Sequence, residues 1–389
     1  MLKLLRHAEL YAPEPLGVLD VLVAGEAIAW IGRGFDPPAS LSVEVLDVEG
    51  RRVIPGLIDP HVHVTGGGGE AGAATKVPAV PLSRYTMGGI TTVIGVLGTD
   101  DCTRSTAELL ARVRGLNDEG LTAYALTGGY HLPATTLTGS VRGDIVHLDA
   151  VLGVGEVALS DHRSSQPTLD ELLRLASEAH VAGLMTGKAG IVHLHMGDGP
   201  RGLELVRRAL DASEIPARVF NPTHVNRRRA LFEEALELAA RGCAVDVTAF
   251  PVADDEDAWP AEDAVVRFLE APVPPRRMTV SSDGGGCLPR FDAEGRVAAM
   301  DVAHPGALAS TLAALLARGC ALETALAPFT ANVADLWRLP RKGRLAPGCD
   351  ADLVVLDERD RPAYVMARGR WHVAAGEAVL RGTFEGGAA

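Results

Sequence analysis

Two histidines two residues apart, His61 and His63, follow an apolar run that closes in Pro55-Gly56-Leu57-Ile58-Asp59-Pro60. On an extended strand residues i and i+2 share a face, so both imidazoles can reach one point in space. Imidazole is a common ligand for zinc-like metals, and a strand end opening onto a pocket is where a catalytic metal would sit. The plain alternative for a lone His-x-His is a pair of half-exposed surface histidines. Further along, polar residues recur after other short apolar runs: Thr99 and Asp100, Tyr130 and His131, Glu156 with Asp161 and Arg163, His195, His224 and Asp283. Four histidines and two carboxylates meeting at one rim would serve two metal ions that share a bridging hydroxide. Such a site activates water, polarises an electrophile and can return a proton to a leaving group.

These groups need a scaffold that brings many strand ends to one place. Eight β-type runs, at 53–58, 91–96, 123–127, 156–160, 191–195, 218–221, 244–248 and 278–281, alternate with amphipathic helical stretches. The helical stretches include 106–117, 169–182, 202–213, 229–241, 261–270 and 307–318. This alternation predicts an α/β fold, a (β/α)8 TIM barrel over residues 55–342, with its chemistry at the C-terminal ends of the strands. A doubly wound open sheet is the alternative, but no strand–GxGxxG–helix or P-loop opens it. The seventh run offers no comparable ligand. Residues 1–54 and 343–389 read instead as short β-bursts between Gly, Asp and Pro turns. They predict a small β-sandwich domain built from both termini.

Composition narrows the function classes. The 389 residues are 47% hydrophobic and 22% charged, ample for a large core. A formal net charge of −13 argues against nucleic acid or an anionic membrane as partner. No apolar run could span a bilayer, and the first residues lack a signal-peptide core. Five scattered cysteines, never in Cys-x-x-Cys, suit reduced thiols in a cytoplasm.

Longer segments carry a resemblance. Leu126-Thr127-Gly128-Gly129-Tyr130-His131, Ser160-Asp161-His162-Arg163, Pro222-Thr223-His224-Val225-Asn226-Arg227 and Ser281-Ser282-Asp283-Gly284 resemble the bacterial isoaspartyl (β-aspartyl) dipeptidases of the amidohydrolase superfamily. So does the stretch from His63 through the glycines 66–69 to Glu70, and the similarity runs over essentially the whole chain. The resemblance implies two zinc or similar divalent ions per chain. His61 and His63 would hold one and His195 and His224 the other, with Asp283 a ligand of the first ion and the general base and acid. It further implies that Glu70 reads the free α-ammonium of a small dipeptide, Tyr130 polarises the scissile carbonyl, and Arg163 and Arg227 hold carboxylates. Thr99 and Cys287 complete the substrate contacts. A large homo-oligomer, an octamer being one form, is also implied.

Two positions depart from the family pattern. The bridging residue there is a carboxylated lysine in the fourth strand; counting back from Ser160 gives Glu156, and none of the four lysines lies in that strand. Glu156 supplies the same carboxylate on a shorter arm and is read as the bridge. A serine expected near the substrate carboxylate is Cys287, a weaker hydrogen-bond donor. The glycines 66–69 read either as a close backbone approach or as a mobile loop presenting Glu70. His193 forms a second His-x-His with His195; the family pattern makes His195 the ligand and leaves His193 as packing or outer support for the site. Lys188 reads as an exposed loop residue. The other readings are a different amidohydrolase reaction (cyclic-amide opening or deacylation of an N-acyl amino acid) and a non-catalytic assembly protein on the same scaffold. Glu70, Arg163 and Arg227 speak against a neutral ring substrate. A competent side chain at every ligand position speaks against loss of catalysis.

Overall fold

The computed structural model of the protein describes residues 2–291 and 296–386. Eight central strands form the scaffold: Leu57–Val62, Ile90–Gly95, Thr122–Thr127, Val151–Leu159, Val192–Met196, Phe220–Thr223, Val245–Thr248 and Met278–Ser281. The first six make one parallel sheet in chain order, and the last two pair in parallel with each other. This is a barrel-like arrangement with two seams, between strands six and seven and between eight and one.

Buried carboxyls close both seams. Asp246 of the seventh strand accepts from Thr223 Oγ1 at 2.7 Å on the sixth, and from Thr279 Oγ1 at 2.6 Å and Ser281 Oγ at 2.5 Å on the eighth. Asp59 of the first strand accepts from the backbone N–H of Ser282 at 3.1 Å and from its hydroxyl, just past strand eight. The His63 N–H reaches Gly284 O at 2.9 Å across the same seam. A buried carboxyl is costly unless it is hydrogen-bonded, and burial pushes Asp59 up to about 7. Each clamp therefore lies beside the histidine-bearing strand ends.

The helices pack an apolar stripe onto this sheet. Leu169–Thr186 shows why such a segment is helical. Thr168 and Glu171 form a reciprocal capping box at its start, and Gly187 ends it in the left-handed region at φ 76°. Between them Leu172, Leu175, Ala176, Ala179 and Ala182 turn inward at helical spacing. The other expected helices appear as Thr106–Asp118, Glu204–Asp211, Arg229–Ala240, Ala261–Glu270 and Ala307–Ala317. The helix Val141–His147 and an antiparallel hairpin, Cys287–Phe291 with Val297–Val302, were not foreseen.

The first expected run divides. Arg52–Pro55 belongs to a second sheet, and Leu57–Val62, carrying His61 within it, is the first barrel strand. Both termini contribute to that second sheet, as expected, and backbone hydrogen bonds link its nine strands into one mixed sheet. The reason is Arg52–Pro55 itself. It pairs with Leu2–Tyr11 on one side and with Leu353–Leu356 on the other, joining the two ends of the chain edge to edge. Leu5, Leu10, Val21, Val53, Leu353 and Val355 form the core beneath this sheet. Among the described residues no helix is long and apolar enough to cross a membrane.

A buried ion cluster ties the C-terminal segment to the barrel. Lys342 Nζ lies 2.6 Å from Asp352, 2.9 Å from Asp350 and 2.6 Å from Thr122 Oγ1 of the third strand. Removing the cation would leave the buried Asp352 carboxylate without its ion-pair partner, while Asp350 keeps Arg341 at 2.5 Å. Lys342→Ala is therefore expected to cost about 3–5 kcal/mol in denaturant unfolding. A loss under about 1 kcal/mol would show that the cluster is solvated in practice.

Candidate metal centre and substrate cavity

The carboxylate of Glu156, in the fourth strand and buried, is the hub of the site. Its Oε2 lies 3.5 Å from His61 Nε2, 3.0 Å from His195 Nδ1 and 3.4 Å from His224 Nε2, and its Oε1 lies 3.4 Å from His63 Nε2. Asp283 Oδ1 lies 3.4 Å from His61 Nε2 and 3.1 Å from His63 Nε2. The ligand atoms therefore fall into two trios that share Glu156: His61 with His63, and His195 with His224, each trio within 4.8 Å. The strand ends thus bring together all six residues expected to bind metal.

Hydrogen bonds behind the imidazoles decide which nitrogen faces the hub. Asn221 Nδ2 donates to Ala244 O at 2.9 Å, which turns its Oδ1 toward His193 Nδ1 at 2.7 Å. His193 Nδ1 then donates, and its Nε2 accepts from His61 Nδ1 at 2.8 Å. This leaves a lone pair on His61 Nε2, aimed at Glu156 and Asp283. His195 Nε2 lies 3.1 Å from Asp161 Oδ2, with Arg227 Nη1 at 3.3 Å and Arg163 Nη2 at 3.4 Å; the carboxylate can only accept, so the tautomer with its hydrogen on Nε2 satisfies it and leaves Nδ1 toward Glu156. His224 Nδ1 bonds Thr248 Oγ1 at 2.8 Å with Nε2 inward. An imidazole lone pair facing a carboxylate oxygen is repulsive unless a cation sits between them. Among the described residues neither His61 Nε2 nor Asp283 Oδ1, both buried, has a partner that meets hydrogen-bond geometry. The donor set fits divalent ions of the zinc type, with outer partners that fix each imidazole.

The electrostatics agree with a site that wants positive charge. Burial disfavours the charged form of His61, yet Glu156 and Asp283 raise its pKa well above the ordinary imidazole value. Burial opposes ionisation of Glu156 too, and His61 and His195 hold it well below the usual carboxylate range. Burial and the neighbouring His61 push His193 down to about 3, so it serves as a neutral relay.

A cavity of about 710 Å³ opens over this cluster, lined by His63, Glu70, Thr99, Tyr130, Arg163, Arg227 and Cys287 among others. Glu70 Oε1 accepts from Thr99 Oγ1 at 3.0 Å and lies 3.3 Å from Arg163 Nη1. Its second oxygen, Oε2, is buried and has no hydrogen-bond partner among the described residues. Arg163 also grips Asp161, with Nε at 3.0 Å from Oδ1 and Nη2 at 2.7 Å from Oδ2, and sits 5.4 Å from the Tyr130 ring centre. The Tyr130 hydroxyl lies 2.9 Å from His195 Nδ1, and burial raises its pKa well above the usual phenol value. Arg227 Nη1 donates to Met196 O at 2.9 Å at the cavity wall. Burial and Glu70 push the Cys287 thiol up to about 12, so it faces the cavity protonated.

Of the two readings of the glycines 66–69, close backbone approach holds. The Gly67 N–H reaches Gly285 O at 2.8 Å, and a Cβ on Gly66 would lie 1.9 Å from Val77 O. Lys188 is turned away, donating at 2.7 Å to the carbonyls of Ile145 and Leu148. Asp100 pairs with Lys76 at 2.9 Å, and His131 sits 3.3 Å from Asp101; neither joins the hub. Sequence reasoning did not assign Asn221 or Thr248. It named Asp161 only as flanking the fourth strand, and it read His193 as packing or outer support without naming His61 as the imidazole it supports.

Residues 52–372 match the amidohydrolase family, and the chain belongs to it. The protein is 40% identical to a β-aspartyl dipeptidase from Fervidobacterium islandicum AW-1 solved in complex with β-Asp-Leu dipeptide; the match covers 97% of both chains with a TM-score of 0.92. It is 28% identical to an imidazolonepropionase from Anaeromyxobacter dehalogenans over 397 residues, 95% of this chain and 90% of that one. A D-hydantoinase (dihydropyrimidinase) from Thermus sp. matches at 17% identity and a TM-score of 0.69, over 98% of this chain and 97% of that one, and shares the fold. The protein is thus a hydrolase with a TIM-barrel-like catalytic domain.

Proposed function

We propose that the protein hydrolyses β-aspartyl (isoaspartyl) dipeptides in a reaction that depends on two zinc-like ions. The observation that carries this reading is Glu70 Oε2, a buried carboxylate oxygen without a partner, set beside the Arg163 guanidinium in the cavity over the histidine hub. An α-amino acid head group carries an ammonium and a carboxylate on one carbon, and it complements that pair of charges. The likeness to the Fervidobacterium enzyme bound to β-Asp-Leu supports the same substrate class.

His61, His63 and Asp283 would hold one ion, His195 and His224 the other, with Glu156 shared. When bound, the ions activate water and polarise the amide carbonyl. The chain's own residues do the rest. Glu70 takes the substrate ammonium, Arg163 the α-carboxylate, and Arg227 the C-terminal carboxylate of the leaving residue. Thr99 holds Glu70 in place. Tyr130 donates its hydroxyl proton in a hydrogen bond to the scissile carbonyl oxygen. Asp283 takes a proton from the attacking water at Oδ1 and returns it to the departing amine as the C–N bond breaks.

The imidazolonepropionase relative favours a second reading, opening of a cyclic amide. A ring without an ammonium gives Glu70 Oε2 no donor, and this ranks it second. Hydrolysis of β-Asp-Leu, its N-acetylated form and imidazolone propionate tests the choice. Free β-Asp-Leu should be cleaved, the blocked form hardly at all. Glu70→Gln keeps a hydrogen-bonding group without the charge and should lower kcat/KM roughly 10- to 100-fold. Equal rates on blocked and free dipeptide, or preferential turnover of the ring, would overturn the assignment.

A further inference from the structure

We infer that Asp161 is a positioning residue that couples ion binding at His195 to carboxylate binding at Arg163. The inference rests on the metal-dependent reading above and adds a linkage to it. Asp161 follows the fourth strand, buried, at the junction of the two halves of the site. Its Oδ1 accepts from the Arg163 backbone N–H at 2.8 Å and from Nε at 3.0 Å. Its Oδ2 is shared: Arg163 Nη2 donates to it at 2.7 Å and His195 Nε2 at 3.1 Å. A continuous line of charged and polar groups therefore runs from Glu70 through Arg163, Asp161 and His195 to Glu156.

The surrounding backbone holds Asp161 in this position. A Cβ on Gly197 would lie 2.5 Å from the Asp161 Cβ, so only glycine lets the two loops approach. The Gly199 N–H reaches Ser160 O at 2.7 Å, and Ser160 Oγ donates back to Gly199 O at 2.8 Å. The loop after strand four is thus latched to the loop after strand five, which carries His195 at its base. Asp161 cannot follow Arg163 without disturbing His195.

One oxygen serving two donors makes them compete. Arg163 Nη2, at 2.7 Å, is the nearer of the two donors to Oδ2. A carboxylate arriving at the guanidinium takes part of that hydrogen bonding and leaves Oδ2 more fully to His195 Nε2–H. A better acceptor behind an imidazole makes its other nitrogen a stronger ligand. The carboxylate should therefore tighten the ion at His195, and by linkage the ion should tighten the carboxylate.

Zinc removal from the zinc-replete full chain by graded chelator, with and without saturating L-aspartate, tests this. Calorimetry of L-aspartate binding gives the reciprocal measurement. In the unaltered protein L-aspartate should raise the chelator concentration for half removal by about fivefold or more. Asp161→Asn should weaken zinc retention about 10- to 100-fold and abolish the L-aspartate effect. Arg163→Gln removes the competing donor, so without any L-aspartate it should raise zinc retention toward the L-aspartate-bound level of the unaltered protein, which a merely structural role would not produce. Thermal unfolding of each variant separates misfolding from loss of linkage. Asp161→Asn that keeps normal zinc retention with full L-aspartate protection would overturn the inference. Unaltered protein that holds zinc without any L-aspartate effect would also overturn it, leaving the functional reading intact. Protein that holds no zinc would overturn both.

Discussion

Asp283→Asn is expected to lower kcat on β-Asp-Leu by about 10²–10⁴-fold with KM changed only a few-fold. The argument is positional. Asp283 Oδ1 is buried, lacks a hydrogen-bond partner, and sits 3.1 Å from His63 Nε2 at the floor of the cavity. Asparagine keeps the size and an oxygen but cannot accept and return a proton. On the proposed function the substrate's charges would meet Glu70, Arg163 and Arg227 and not the substituted group, so binding should survive. Metal content measured in the same preparation separates loss of proton transfer from loss of an ion. A variant with both ions and near-normal kcat would remove Asp283 from the mechanism.

The second large effect belongs to Glu156. Its carboxylate alone faces all four imidazoles, so Glu156→Ala leaves converging lone pairs with no shared anion. The variant should lose at least one ion and nearly all activity. Because a glutamate is already a carboxylate, no carbon dioxide need be captured before the site forms. Apo-protein reloaded with zinc in carbon-dioxide-free buffer should therefore recover full activity. Recovery that depends on bicarbonate would contradict a glutamate bridge, as would a Glu156→Ala protein that holds two ions and turns over normally.

What was legible in the sequence follows from which signals are local. Strand ends were legible because short apolar runs are punctuated by Gly, Pro and polar residues, and all eight runs have a strand at or next to them. The hub residues followed from position at those ends. Their outer partners did not. His193 and Asn221 meet because the fifth and sixth strands pair in the register His193↔Asn221, and Asn221 reaches on to Ala244 before the seventh. Nothing in a single strand's pattern encodes that neighbour. The hairpin Cys287–Phe291 escaped notice because Pro289 interrupts it and the glycines 284–286 precede it. The strand pairing that links the two termini escaped for a similar reason. Arg52–Pro55 is four residues long, and its pairing with Leu353–Leu356 joins segments about 300 positions apart.

The central claim is that this site cleaves the β-linked and not the α-linked aspartyl peptide. The deciding measurement is kcat/KM for leucine release from β-Asp-Leu and from α-Asp-Leu by zinc-replete protein, repeated after chelation. Cleavage of the β-linked dipeptide at least about 100-fold faster than the α-linked one, abolished by chelator and restored by zinc, is the predicted result. Equal rates on the two isomers, no release from β-Asp-Leu, or full activity without a metal ion would contradict it.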